Sequence, residues 1–281
     1  MHLLAPDTIR RCIAAEPGHA IISADYDQIE LRVAAGFAGE HSLIDAAKRG
    51  ESLHKVAAIK LFGPNYTADD YRHTKNVNFG WLYGGGARTL SEQAGIPFAE
   101  AKAIIALYAS QFPALTRAKK QAQYTALRSA FTAPEYQVYQ NTLTQLFRFS
   151  PETTEGRLGR ATVQRTLNRY CAGRIGKIVT PYGRHLPVDA LRPYTAFNYL
   201  VQSTSRDILM DGLRRLMEDP ETEPTVLLPI HDEVLGHAPI ATAEYLVTRY
   251  STLMTTEFRS VPLTAAGKVY GRTWGHGYSR K

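Results

Sequence analysis

The chain has 281 residues, 44% of them apolar, 10% aromatic and 21% charged, which excludes disordered, collagen-like and fibrous classes and suits one large or two small domains. Thirty-three Lys and Arg against 26 Asp and Glu leave a net charge of +7, a sign that fits a polyanionic partner without identifying one. Two cysteines, Cys12 and Cys171, exclude a disulfide framework or a paired-cysteine zinc site, and no apolar run reaches the roughly 18 residues of a membrane span, so a cytoplasmic protein without a membrane partner is expected.

In chain order, "HAIISADY" (His19 to Tyr26) predicts a short buried strand after Pro17-Gly18, and "QIELRVAAGFAG" switches to helical spacing, so a strand hands over to a helix between Asp25 and Glu30. "SLHKVAAIKL" predicts a helix with Ser52 as N-cap, closed by Gly63-Pro64. "TADDYRHTKNVNFGWLY" predicts another, capped at Thr67, acidic in its first turn and ended by Gly84 to Gly86. Two shorter helices follow, punctuated by Pro97 and Pro113. Arg117 to Gly173 is the least legible region, helical in parts, with "FSPETTEG" a loop. From Arg117 to Lys177 there are eleven Lys and Arg and three acids, so the basic surplus is concentrated there. "GKIVTPYGRHLPV" predicts two short strands around Tyr182-Gly183, and Phe197 to Met217 an amphipathic helix stopped before Pro220. "TVLLPI", "EVLGHA" and "LTAAGKVYG" add strands, with a helix from about Ala241 to Phe258. Strands at both ends and helices between them predict an α+β fold, an antiparallel sheet with flanking helices interrupted by a helical domain.

Successive residues of a strand face opposite ways, so Asp232 and Glu233 need a turn before both can serve one site. If "TVLLPI" and "EVLGHA" pair as a hairpin, His231-Asp232-Glu233 sits at its tip, as an acidic turn or as a cation site. Asp25 ends an apolar strand in the same manner, and two such ends side by side crowd carboxylates unless divalent cations neutralise them. Two Mg²⁺ ions roughly 3.5 to 4 Å apart are the general device for phosphoryl transfer. On the helix before the triple glycine, Arg72, Lys75, Phe79 and Tyr83 fall within an arc of roughly 80° at 100° per residue. That face reads either as a phosphate and base contact, with His54 adding a donor, or as a solvated edge beside a core.

Together these residues resemble the signature of family A DNA polymerases. "SADYDQIELR" is similar to the family's motif A, DYSQIELR, with Asp27 in place of the serine; "KNVNFGWLYG" resembles motif B and "HDEV" motif C. "GESLHKVAA", "TPYGRHLP", "NYLVQST" and "VPLTAAGKVYGRTW" resemble four further family segments, and all seven stand in family order. The resemblance implies template-directed addition of deoxynucleotides to a primer 3′ end. Asp25 and Asp232 would hold two Mg²⁺, with Mn²⁺ able to substitute, and Glu233 would assist near the primer terminus. Glu30, paired with Tyr83, would exclude a ribose 2′-OH; Lys75, beside His54, would grip the triphosphate and protonate pyrophosphate; and Phe79 would stack on the incoming nucleotide. Arg184, Asn198, Gln202 and His231 would contact the primer-template.

Departures bear on these roles. The motif B arginine four residues before Lys75 is replaced by Tyr71, and Arg72, three before, is expected to substitute. Tyr194 stands where many relatives carry an arginine. The chain begins 24 residues before Asp25, so the expectation is a palm (1–45 and 178–281) and fingers with a basic insertion (46–177), without thumb or exonuclease. Those would come from a separate subunit, as in a phage-type split polymerase working in the host cytoplasm. The alternative is a non-catalytic DNA-binding or assembly subunit that keeps the fold. Glu30 and the context of Phe79 disfavour a single-subunit RNA polymerase.

Overall fold

The computed structural model describes residues 6–277. Helix α1 (Pro6–Cys12) precedes strand β1 (His19–Tyr26), and helices α2 (Ile29–Ala38), α3 (His41–Lys48) and α4 (Leu53–Phe62) follow. Next come α5 (Ala68–Leu82), α6 (Ala87–Ala94), α7 (Phe98–Gln111), α8 (Pro113–Ala130), α9 (Ala133–Gln145) and α10 (Thr154–Cys171). Strands β2 (Ile175–Val179) and β3 (His185–Asp189) lead into α11 (Ala196–Glu218). The chain ends with β4 (Val226–Ile230), β5 (Glu233–Pro239), α12 (Ala243–Met254), β6 (Thr256–Phe258), β7 (Val261–Leu263) and β8 (Ala265–Gly271). No described helix is long and apolar enough to cross a membrane. The chain divides into two compact units, one formed by the described residues up to Val56 with those from Thr204, the other by Ala57–Ser203.

The first unit is built on an antiparallel sheet of order β4-β5-β1-β8. β1 lies centrally with Ile21, Ile22 and Ala24 fully buried, which is why its sequence is a continuous apolar run rather than an alternation. Pro229 lies in β4, an edge strand, where a missing N–H costs no ladder bond. α12 packs on β1, β5 and β8. It comes so close that a Cβ at Gly236 would overlap the Tyr250 hydroxyl and one at Gly267 would overlap Val247. That hydroxyl bonds Thr225 Oγ1 at 2.9 Å, and Tyr26 donates to the Met254 carbonyl at 2.5 Å, tying the C-terminal half of α12 to the sheet and the turn before β4.

The second unit is helical. Thr67 and Asp70 close a capping box at the start of α5, with Asp70 N donating to Thr67 Oγ1 at 3.1 Å and Thr67 N to Asp70 Oδ2 at 2.8 Å. Trp81, Tyr108, Phe112 and Phe197 form a linked aromatic core, with Tyr108 and Phe112 centroids 4.8 Å apart. A second cluster, Phe131, Tyr136, Tyr139 and Tyr170, joins the end of α8 to α9 and α10, and Arg174 lies 4.8 Å from the Phe131 ring while pairing with Glu135 at 2.8 Å. The β2–β3 hairpin rests on α8, where Gly176 leaves no space for a Cβ above the Ala126 carbonyl.

The α+β expectation holds, with two local corrections. The helix expected to run to Phe258 stops at Met254, and Thr256–Phe258 is strand β6 paired with β7. Phe258 continues the helical spacing of apolar residues, but its ring is needed under α2, 5.1 Å from Phe37 and against Gly36. Arg259 and Ser260 make the connecting turn, both at positive φ. The region from Arg117 to Gly173 is more helical than its sequence suggested, because α8, α9 and α10 occupy nearly all of it.

Candidate active site

The carboxylates are placed by the sheet. β4 and β5 form a hairpin in which Ile230 pairs with Glu233, so His231 and Asp232 alone make the turn. His231 takes a left-handed φ of 57°, which a residue with a short polar side chain or an imidazole tolerates better than a β-branched one. Asp25 is the register partner of Glu233 across β1 and β5, and the Tyr26 amide donates to the Asp232 carbonyl at 3.1 Å. The structure therefore brings Asp25, Asp232 and Glu233 together at one end of the central strand pair.

Their charges interact strongly. Partial burial, then the like charges of Asp232 and Glu233 and a hydrogen bond to Asp232, push the Asp25 carboxyl up to about 7, against a smaller opposing pull from His231. Asp25 also keeps a solvent-facing edge, so the part of this rise due to neighbouring carboxylates is the part a cation removes. His231 Nδ1 lies 2.7 Å from Asp232 Oδ1, and Nε2 is 4.0 Å from Glu30 Oε1. The hydrogen bond to Asp232, with the charges of Asp232, Glu30 and Asp25, pushes the imidazole above its ordinary value in spite of partial burial. Glu30 is buried in the first turn of α2, and His54 is buried with its backbone N–H donating to Gln28 Oε1 at 3.1 Å.

Two supports were not legible in the sequence. Tyr270 of β8 donates to Glu233 Oε1 at 2.8 Å, and Ser23 donates in turn to the Tyr270 hydroxyl at 3.4 Å, so the buried Glu233 carboxylate is held from behind. Asp27, the substituted motif A position, pairs with Arg32 at 2.6 Å and accepts from Gln28 at 2.8 Å, and Arg32 also donates to the Pro262 carbonyl at 2.9 Å. The substitution thus gives a buried guanidinium a carboxylate partner.

Among the described residues no group of three His, Cys, Asp or Glu side chains forms a ready metal cage. The donor set instead fits an ion bound by few carboxylates. Two adjacent hard-oxygen ligands, crowded enough to share a proton, suit Mg²⁺, which completes its shell with water and substrate phosphate.

In the second unit, α5 presents the expected series. Arg72 is solvent-exposed and pairs with Asp69 at 3.0 Å, while Lys75 sits 4.8 Å from the ring of Tyr71, the residue at the motif B arginine position. Phe79 and Tyr83 stack with centroids 6.0 Å apart and are both partly exposed. They line a cleft of about 400 Å³ with Gly84, Gly85, Thr89 and Tyr194. Gly84 has φ +80°, and a Cβ there would meet Tyr194 Cδ2 at 2.6 Å, so this tyrosine forms the wall facing Tyr83. Sequence reading had marked Tyr194 only as a missing arginine. Arg184 is exposed after the turn between β2 and β3. Asn198 and Gln202 lie one turn apart on α11, Gln202 exposed and Asn198 half-buried, with the Asn198 Oδ1 unpaired among the described residues.

The profile of DNA polymerase family A matches residues 5–276. The chain is 34% identical over 273 residues to a DNA polymerase of Mycobacterium phage D29, covering 96% of this chain and 37% of the phage protein. It is 31% identical over 250 residues to the thermostable DNA polymerase I of Thermus thermophilus, covering 84% of this chain and 24% of that protein. The chain thus spans about a third or less of the length of these relatives. The fold is similar to a solved structure described as the POL domain of Pol1 from M. smegmatis in complex with DNA primer-template and dNTP, with a TM-score of 0.70 at 20% identity, covering 97% of this chain and 43% of that one. With its motifs, its sheet and this nearly full-length match in agreement, the chain belongs to DNA polymerase family A.

Proposed function

We propose that this chain carries the nucleotidyl-transfer centre of a template-directed DNA polymerase, adding deoxynucleotides to a primer 3′-OH. The observation that supports this most is the contact between the Asp25 and Asp232 carboxyls at the end of the central strand. These two residues would hold two divalent cations, Mg²⁺ fitting the donor set best, and when bound such ions supply charge neutralisation at the attacking hydroxyl and at departing pyrophosphate. Asp25 must give up its proton to serve as a ligand. Glu233, fixed by Tyr270, assists beside the primer terminus. The buried Glu30 denies space and hydrogen-bonding freedom to a ribose 2′-OH.

Lys75 and Arg72 offer cations to the triphosphate, with His54 as a further donor, and Lys75 is the acid for the leaving pyrophosphate. Phe79 and Tyr83 offer ring faces to the nucleotide. Arg184, Asn198, Gln202 and His231 are assigned to the primer-template.

Primer extension with Mg²⁺ and dNTPs tests this, run with the chain alone and with candidate partner subunits. Template-dependent incorporation that Asp232→Ala abolishes is expected; none in any mixture overturns the proposal. A rival reading, a DNA-binding subunit without catalysis, draws on the Arg72–Asp69 pairing and on Tyr71 at the arginine position. It predicts that Asp232→Ala leaves the function of the assembled polymerase unchanged.

A further inference from the structure

The basic insertion has no part in the chemistry above. α9 and α10 form a helical hairpin whose inner side is closed by Tyr136, Val163, Leu167 and Cys171, all buried. At 100° per residue, Arg157, Arg165 and Arg169 fall within roughly 120° on the opposite side of α10 and spread over about 18 Å of helix. All three are exposed, and among the described residues no carboxylate pairs with them: Arg157 bonds the Glu152 carbonyl and Thr154 Oγ1, and Arg165 bonds Thr162 Oγ1. Glu135, one of the three acids of the segment, is already held by Arg174.

The hairpin tip is built rather than loose. Arg160 donates to the carbonyls of Leu146 and Phe149, at 2.8 and 3.4 Å, and Phe149 seats its ring over Gly159, where no side chain fits. This leaves Phe147 with 82% of its surface in solvent and the exposed Arg148 beside it. An outward ring next to a guanidinium, continued by a row of unneutralised arginines, is complementary to an unpaired base and its phosphate backbone.

We infer that the α9–α10 hairpin is a binding surface for single-stranded nucleic acid, with Phe147 stacking on a base and Arg148, Arg157, Arg165 and Arg169 following the phosphates. This surface shares no residue with the proposed nucleotidyl-transfer set, and it stands or falls without it.

The test is equilibrium binding of the full chain to labelled oligo(dT), without nucleotide or divalent cation, over a salt series. The triple variant Arg157→Gln, Arg165→Gln, Arg169→Gln is expected to bind at least tenfold more weakly at low salt, with the slope of log K against log[salt] flatter by about 2. Phe147→Ala, at a position too exposed to affect folding, is expected to weaken binding by roughly tenfold with the slope unchanged. Asp25→Asn should bind like the parent, so loss of catalysis and loss of this surface are read separately. Unchanged affinity and slope in both hairpin variants overturn the inference. So does equal competition by poly-glutamate, which would mark the surface as one for an acidic protein.

Discussion

Lys119 Nζ donates to the Trp81 carbonyl at 2.6 Å and stands 4.4 Å from the centroid of the same residue's ring. Trp81 lies in the last turn of α5, where its carbonyl accepts a long 3.3 Å bond from the Gly84 amide and has a second lone pair to offer. A cation there meets both that acceptor and the negative end of the helix dipole. Removing it with Lys119→Met should destabilise the protein by about 1 to 2 kcal/mol, read from the denaturant midpoint.

Burial pushes the Lys119 ammonium down to about 8 from 10.5. Between these values the unfolded chain holds a proton that the folded chain has released, so raising the pH favours folding in this window. The stability of the parent relative to Lys119→Met should therefore increase from about pH 8 to 10.5. A difference that is flat with pH would show that the lysine is not desolvated.

Among the described residues Asp27 is the carboxylate that pairs with the buried Arg32, and it stands two positions after Asp25 of β1. Asp27→Ala leaves the buried guanidinium, among the described residues, with the Pro262 carbonyl as the acceptor for its side chain. Because Asp27 itself is 44% exposed, the cost is expected at the lower range for broken buried pairs, about 1 to 3 kcal/mol. Thermal unfolding of Asp27→Ala and Asp27→Asn checks this, with the asparagine variant losing less.

Tyr270→Phe keeps the ring and removes the donor to Glu233. A hydrogen bond to a charged group contributes about 1.5 to 3 kcal/mol, and part of that is expected to be lost from the transition state. The expected result is a drop of about tenfold in the extension rate with little change in the apparent KM for dNTP. An equal loss in a Tyr270→Ala variant that also unfolds would be uninformative, so the phenylalanine variant carries the comparison.

Asp219, just after α11, is gripped by Arg249 and by the backbone amides of Glu221 and Thr222, which hold its carboxyl at about 2. A carboxylate held below its ordinary value stabilises the fold above about pH 4 and loses that contribution as pH falls towards 2. Asp219→Asn should flatten the acid limb of the stability curve between those values while lowering the plateau above it.

What the sequence could tell depended on how local each signal was. β1 was legible because burial on both faces leaves an unbroken apolar run, and α5 because Thr67, Asp70 and the triple glycine mark both its ends. The hairpin carrying Asp232 followed from two apolar runs separated by a polar pair. Side-chain partnerships between distant residues left no such trace: Lys119 and Trp81 are 38 positions apart and Tyr270 and Glu233 are 37 apart. The small β6–β7 hairpin was hidden because Phe258 keeps a helical spacing while serving the underside of α2. Tyr194 was noticed as a missing arginine, and only its packing on Gly84 shows it as a cleft wall.

The seating of α12 directly on the backbone at Gly236 and Gly267 bears on how the carboxylates move. Those glycines belong to the two strands that flank β1, so the floor beneath the acidic end has no compressible side-chain cushion. Shortening Tyr250 would loosen that floor and is expected to blur the spacing of Asp25 and Asp232 before it unfolds the sheet.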